Sequence, residues 1–451
     1  MSNERSGFSS RLGFVLATAG SAVGLGNIWR FPYLAAKYGG GTFLLTYLIL
    51  TLTFGFSLMI TEVALGRKAG TSAIRAFGHF SKKYTFIGYL TTIIPFIIFP
   101  YYCVIGGWVT KYALVSIQGG IHNAASDTFF AGFISKSAEP MICVLVFLIA
   151  TTVVVAGGVK GGVERVSTIM MPVLIVLLIG VSLFCITRPG AMAGVAYYLK
   201  PNLKGFSPTT ILAALGQLFY SMSLAMGIMI TFGSYMPKKA DLEKSVTQVE
   251  IFDTGVAFLA GLMIVPAVFV FSNGDASMLA KGPSLMFVML PKVFNSMAFS
   301  SVIAAGFFIL VLLAALTSSI SLLETLVAVL MDKFHMKRGT ACITMFIIAL
   351  LLAVPSSLGF GAWSNITILG FDFLDFFDFI SNSVLMPIAA FLTCLFVGYI
   401  IKPKVIVDEV ESSGEFKRKP LFLIMVKYIA PICIVAILVF SVLEGLGFIT
   451  V

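Results

Sequence analysis

Eleven stretches of this chain are apolar and long enough to cross a lipid bilayer. They lie near residues 10–36, 42–66, 86–116, 140–156, 166–187, 209–236, 246–272, 294–331, 339–355, 369–400 and 421–447. About 20 apolar residues reach across the hydrocarbon core, where unbroken apolar runs satisfy their backbone groups as helices. The expected class is therefore an all-α polytopic membrane protein, with spans numbered 1 to 11 in the order given. Composition agrees: 59% of the 451 residues are hydrophobic and 11% charged, against roughly 45–50% and about 25% in soluble domains. A soluble globule and a disordered chain are both excluded.

Lys and Arg exceed Asp and Glu by 30 − 20 = 10. With the N-terminus inside, 21 of the 30 cations fall on cytoplasmic segments, the bias that orients membrane proteins. The expected orientation is N-terminus cytoplasmic and C-terminus outside. The positive charge is then topological, and no nucleic-acid partner is expected. Six cysteines without a CxxC pattern argue against disulfides and a zinc site, and residues 12–29 lack a cleavable signal's layout. A membrane enzyme lacks support as well, since there is no G-x-S-x-G and all three histidines fall in expected loops. The one strongly polar stretch between spans, residues 401–420, reads as a cytoplasmic linker before span 11 (421–451).

Span 1 carries Gly20, Gly24 and Gly26 within seven residues, each lowering helix stability by roughly 1 kcal/mol relative to alanine. Gly20 and Gly24 alone would read as a packing motif. Asn27 and Arg30 beside them favour a break, whose freed carbonyls and N–H groups can bind ions. Span 6 has no charged residue from Gly205 to Pro237 and carries Ser221 and Ser223 at its centre. Alone, those serines would bond back to helix carbonyls. Matched to span 1, they point to a second break in a second half. The expected halves are 1–187 and 209–400, five spans each and so of opposite topology, the sign of an inverted-repeat transporter. Thr317 and Ser318 in span 8 offer two hard oxygens or merely helix packing. The intramembrane ionisable residues include Arg30, Glu62, Asp253, Glu324 and the trio Asp372, Asp375 and Asp378, each a functional candidate by position.

Arg11-Leu12-Gly13, Gly24-Leu25-Gly26-Asn27-Ile28-Trp29-Arg30-Phe31-Pro32, Gly39-Gly40-Gly41, Gly216-Gln217 and Leu316-Thr317-Ser318-Ser319 together resemble the neurotransmitter:sodium symporter family. The likeness spans nearly the whole chain, and eleven spans rather than twelve are similar to the bacterial leucine, tyrosine and tryptophan transporters. The resemblance implies two inverted five-helix repeats with spans 1 and 6 unwound at mid-membrane, plus one extra helix. It implies a first sodium ion at Ala22, Asn27, Ser221 and Asp253, and a second at Gly20, Val23, Ala314, Thr317 and Ser318. The implied substrate pocket comprises Ala22, Gly24, Leu25, Gly26, Ile98, Tyr102, Tyr220, Ser221, Ser223, Met226, Ser318 and Leu322. Arg30 with Asp375, or with neighbouring Asp372, would form an outer gate, and Arg5 with Asp332 an inner one.

Tyr220 and Met226 replace the phenylalanines of leucine-type members, which favours larger apolar or aromatic substrates because methionine repacks readily. Gly24 leaves room for an α-carboxylate where monoamine carriers have aspartate. Asp253 and Ala257 stand where animal members have asparagine and serine, so no chloride requirement is expected. The bland alternative leaves Asp253 solvated near the cytoplasmic end of span 7. The implied activity is sodium-coupled import of an apolar or aromatic L-amino acid across a bacterial inner membrane by alternating access. An ion channel fits two broken helices and paired gates poorly, whereas a substrate-sensing receptor on the same fold would carry the same residues.

Overall fold

The computed structural model describes residues 7–202, 206–272 and 284–448. Among them there is no strand, only two isolated bridges. Nine helices are long and apolar enough to cross a membrane: Gly41–Ala69, Lys82–Ile117, Ala138–Ala156, Val159–Ile186, Leu242–Phe271, Ser300–Phe334, Arg338–Leu358, Phe373–Ile400 and Lys419–Gly445. They are spans 2 to 5 and 7 to 11. Span 1 is two helices, Arg11–Ala22 and Gly26–Lys37, bent by 55° at the break. Span 6 is Pro208–Ser221 followed by Ile228–Tyr235, each too short to cross alone.

Local chemistry explains several boundaries. Ser10 caps span 1 by accepting from the Gly13 N–H at 2.9 Å, and Asp241 caps span 7 through Lys244 N–H at 2.9 Å. Span 2 stops at Gly70, whose φ of 64° suits a left-handed C-terminal residue. Inside the spans, hydroxyls turn back to carbonyls one turn earlier, as Thr51, Ser57 and Thr61 do in span 2. Spans 4, 5, 9 and 11 present apolar stripes outward; in span 4 the exposed residues Ile142, Val146, Ile149 and Val153 recur at three- and four-residue spacing.

Two boundary expectations need correction. Span 8 begins at Ser300 rather than 294, because Phe299 adopts a left-handed φ of 58° and separates it from the helix Leu290–Asn295. The 401–420 segment is not a plain linker, since Lys404–Glu411 is helical and buries Ile406, Val407, Glu409 and Val410. Arg67 at the end of span 2, itself fully buried, pairs with Glu409 at 2.8 Å. The polar composition of the segment hid an amphipathic helix.

Span 2 is locked against the second half of span 6 by two glycines. A Cβ on Gly66 would fall 1.8 Å from the Ile230 carbonyl oxygen, and one on Gly233 would fall 2.3 Å from that of Val63. That backbone-to-backbone approach positions Glu62, one turn from Gly66, beside the break in span 6.

Candidate functional site

Each break leaves backbone groups that the sequence has arranged to satisfy. In span 1 the helix ends at Ala22, and Val23 turns to extended backbone with ψ 97°. Gly24 N–H is captured by the Asn27 side-chain oxygen at 3.1 Å. The Ser21 carbonyl accepts from Ser223 Oγ at 3.0 Å and from Ser318 Oγ at 3.1 Å, and the Gly26 carbonyl accepts from Gln217 Nε2 at 2.9 Å. In span 6, Ser223, Ala225 and Gly227 all have positive φ within five residues, which no helix accommodates. Glu62 Oε1 accepts from the freed Ala225 N–H at 2.7 Å, and its other oxygen is buried without a hydrogen-bond partner among the described residues. Glu62 was legible only as an intramembrane carboxylate; its task as a cap for the break was not.

Asp253 is completely buried, which removes the reading of a solvated helix end. Its Oδ1 accepts from Asn27 Nδ2 at 2.7 Å and from Ser221 Oγ at 2.9 Å, and its Oδ2 faces the Tyr47 hydroxyl at 3.4 Å. Asn27, Ser221 and Asp253 thus meet where the two breaks face span 7, with Ala22 on the adjoining turn. The donor set is carboxylate, amide, hydroxyl and backbone carbonyl, all hard oxygens. Among the described residues no group of three His, Cys, Asp or Glu forms a transition-metal site.

A second cluster joins spans 1 and 8. Thr317 Oγ1 bonds back to the Ala314 carbonyl at 3.0 Å, Ser318 Oγ reaches the Val23 carbonyl at 3.4 Å, and a Cβ on Gly20 would touch Thr317 Cβ at 3.2 Å. All five residues implied for the second ion therefore lie at one junction.

Between the breaks is a cavity lined by all twelve residues of the implied pocket, together with Ser21 and Ile228. A signal for it was present in the sequence, since Ile228 stands seven residues from Ser221 and so on the same helical face. The Tyr102 hydroxyl at its wall is buried without a hydrogen-bond partner among the described residues. Gly24 keeps the site close-packed: a Cβ there would stand 2.6 Å from Ser318 Oγ, which would have to turn away, and 3.4 Å from the Tyr102 oxygen.

Residues 5–130 and 131–446 match the model of the sodium:neurotransmitter symporter family. The chain belongs to that family. The symporter is 36% identical over 437 residues to an uncharacterized sodium-dependent transporter of Bacillus subtilis, YhdH, covering 95% of this chain and 96% of that one. It is 25% identical to the human sodium- and chloride-dependent GABA transporter 2, over 98% of this chain and 80% of that one. Among solved structures it resembles MhsT in complex with L-phenylalanine, with a TM-score of 0.88 and 38% identity, covering 97% of this chain and all of the other. The symporter is thus a multi-pass membrane transporter of a sodium-dependent family that takes small-molecule substrates, and not an enzyme.

Tyr220 also lines a second cavity of the symporter, with Trp29, Arg30, Tyr33, Ile105, Leu374, Asp375 and Asp378. The Arg30 guanidinium lies 5.2 Å from the Tyr220 ring centre and makes no ion pair among the described residues. Asp372 is spent as a helix cap, accepting from Asp375 N–H at 2.9 Å. Asp378 is held by Tyr101 at 3.1 Å and Asn382 at 2.6 Å, partners the sequence did not reveal.

At the opposite end, Arg5 lies outside the described residues. Asp332 Oδ2 accepts from Ser72 N–H at 2.7 Å and Ser72 Oγ at 2.5 Å. Glu324 takes a two-pronged ion pair from Arg338 at 2.6 and 2.8 Å, plus the Tyr235 hydroxyl at 2.9 Å. Tyr235 in turn accepts from Phe8 N–H through its carbonyl at 3.0 Å.

Proposed function

We propose that the symporter uses two inward-moving sodium ions to import an apolar or aromatic L-amino acid across a bacterial inner membrane. Chloride takes no part. The observation that carries this reading is the cavity between the breaks, which puts a free hydroxyl and both helix breaks against an apolar wall of Ile98, Met226, Ile228 and Leu322. A free amino acid is a zwitterion and needs both charges solvated without bulk water. Span 1 N–H groups, the Tyr102 hydroxyl and the first sodium take the carboxylate; carbonyls at the breaks take the ammonium. The complex of MhsT with L-phenylalanine supports that substrate class.

The first sodium is read at Ala22, Asn27, Ser221 and Asp253, and the second at Gly20, Val23, Ala314, Thr317 and Ser318. Two ions crossing a 100 mV potential supply about 4.6 kcal/mol, roughly a thousandfold accumulation. Alternating access is read as movement between two inverted repeats, 1–187 and 209–400, with the N-terminus cytoplasmic and the C-terminus outside. Arg30 with a span 10 carboxylate closes the outer side, and Arg5 with Asp332 the inner. The deciding experiment is uptake into proteoliposomes under a sodium gradient, competed with each of the twenty amino acids. Uptake indifferent to sodium, or indifferent to every apolar and aromatic competitor, overturns the proposal.

Thr317→Val with Ser318→Ala removes two oxygens at nearly constant volume. Sodium affinity is expected to fall at least tenfold, measured as the sodium dependence of substrate binding; an unchanged dependence rejects the second site. Met226→Phe, which stiffens the pocket wall, is expected to shift preference several-fold from tryptophan and tyrosine toward aliphatic substrates. Competition binding with an unchanged ratio would remove Met226 from the selection of substrate size.

A further inference from the structure

Where spans 10 and 11 meet the 401–420 segment, they enclose a groove of about 690 Å³ that shares no residue with the cavity between the breaks. Four lysines line it, Lys402, Lys404, Lys419 and Lys427, against two carboxylates, Asp408 and Glu411. Glu411 is taken by Lys419 at 2.8 Å. Among the described residues the other three lysines make no ion pair, so three ammonium groups face one carboxylate. Like charges gathered this way repel one another unless an anion sits among them.

The backbone is shaped around the same place. Lys402 has a left-handed φ of 65°, turning the chain from span 10 into the helix Lys404–Glu411. Both spans carry a π turn at this level, Phe396–Ile400 and Met425–Ile429. Such widened turns recur at functional sites. Here the Tyr399 hydroxyl donates to the Lys427 carbonyl at 2.6 Å, and a Cβ on Gly398 would meet the Val426 carbonyl at 3.5 Å. Lys427 stands eight residues inside span 11 from Lys419, about 12 Å along the axis. Its half-buried ammonium lies 5.5 Å from the Tyr428 ring centre and can still reach along its stem to water or to an anion.

Below the lysines the groove turns apolar at Leu423 and Ile424. From there the exposed residues Ile424, Tyr428, Ile432, Val435 and Val439 recur every three or four positions as one strip along the outward face of span 11. A cationic mouth over an apolar strip has the shape of a lipid's own two parts, and basic pockets between membrane helices bind anionic headgroups.

We propose that this groove binds an anionic phospholipid, with Lys402, Lys404 and Lys427 on the headgroup phosphate and an acyl chain along the span 11 strip. The lysines prefer an anionic headgroup to a zwitterionic one, and the strip separates a lipid from a soluble phosphate. The test is native mass spectrometry of the full chain in detergent, titrated with phosphatidylglycerol or with phosphatidylcholine of the same chains. Retention of phosphatidylglycerol is expected to be at least tenfold higher, and K402Q/K404Q/K427Q should bring it down to the phosphatidylcholine level. K402Q/K404Q, at two exposed positions, should lose most of the difference without touching span 11, while K337Q should keep it. Equal retention of the two lipids, full retention by K402Q/K404Q, or displacement of phosphatidylglycerol by equimolar glycerol phosphate would each overturn the site.

Discussion

Asp253→Asn should lower sodium affinity by roughly a hundred- to a thousandfold and nearly silence uptake in chloride-free medium. Asparagine has the same shape and can still meet Ser221 Oγ, which now lies 2.9 Å from Asp253 Oδ1. What it removes is the negative charge at a fully buried position. Taking away one partner of a buried charge pair costs about 3–5 kcal/mol, because the remaining ion is left uncompensated in low dielectric. Added chloride should restore part of the activity of the variant, since a diffusible anion can supply the lost charge. The parent protein should transport equally well in chloride and in gluconate, unlike the animal relatives, whose dependence on chloride is in their names. A parent that needs chloride, or a variant as active as the parent without it, would refute the fixed-charge reading.

The meeting of Asn27, Ser221 and Asp253 was legible because these parts are chemically conspicuous. An aspartate within an apolar run, a glycine-broken span and a pair of serines in a chargeless span each violate the rules of an ordinary membrane helix. Together with the family resemblance they named Asn27, Ser221 and Asp253, which the fold brings within hydrogen-bond distance. Nine of the spans follow from hydropathy alone, for the same reason: bilayer thickness dictates their length. What escaped the sequence depends on where two distant segments meet. Glu62 and Ala225 are 163 positions apart and touch only because Gly66 and Gly233 let two backbones approach. Arg67 and Glu409 are 342 apart, and the helix that carries Glu409 reads as a charged linker because it is only eight residues long and sits among lysines and carboxylates. No periodicity within one segment encodes such meetings.

Arg30→Ala should abolish transport by more than a hundredfold while changing equilibrium substrate binding by less than tenfold. Arg30 lines the second cavity, separated from the one between the breaks by Tyr220, which lines both. In this structure its guanidinium rests 5.2 Å from the Tyr220 ring centre rather than on a carboxylate. An ion pair that forms only as the cavity closes contributes to the closed state and little to the open one, and a ligand cycle needs both. Two carboxylates are within the same cavity. Asp375, the partner expected from sequence, is exposed, whereas Asp378 is half-buried and already fixed by Tyr101 and Asn382. A carboxylate held in place loses less conformational freedom on pairing, and a drier pair gains more from Coulomb attraction. Asp378→Asn is therefore expected to reproduce the Arg30→Ala phenotype, with Asp375→Asn costing no more than a few-fold. Each variant combined with Arg30→Ala identifies the partner, because the true pair is non-additive and an unrelated one sums. Normal transport by Arg30→Ala, or additivity with both aspartates, would discard the gate.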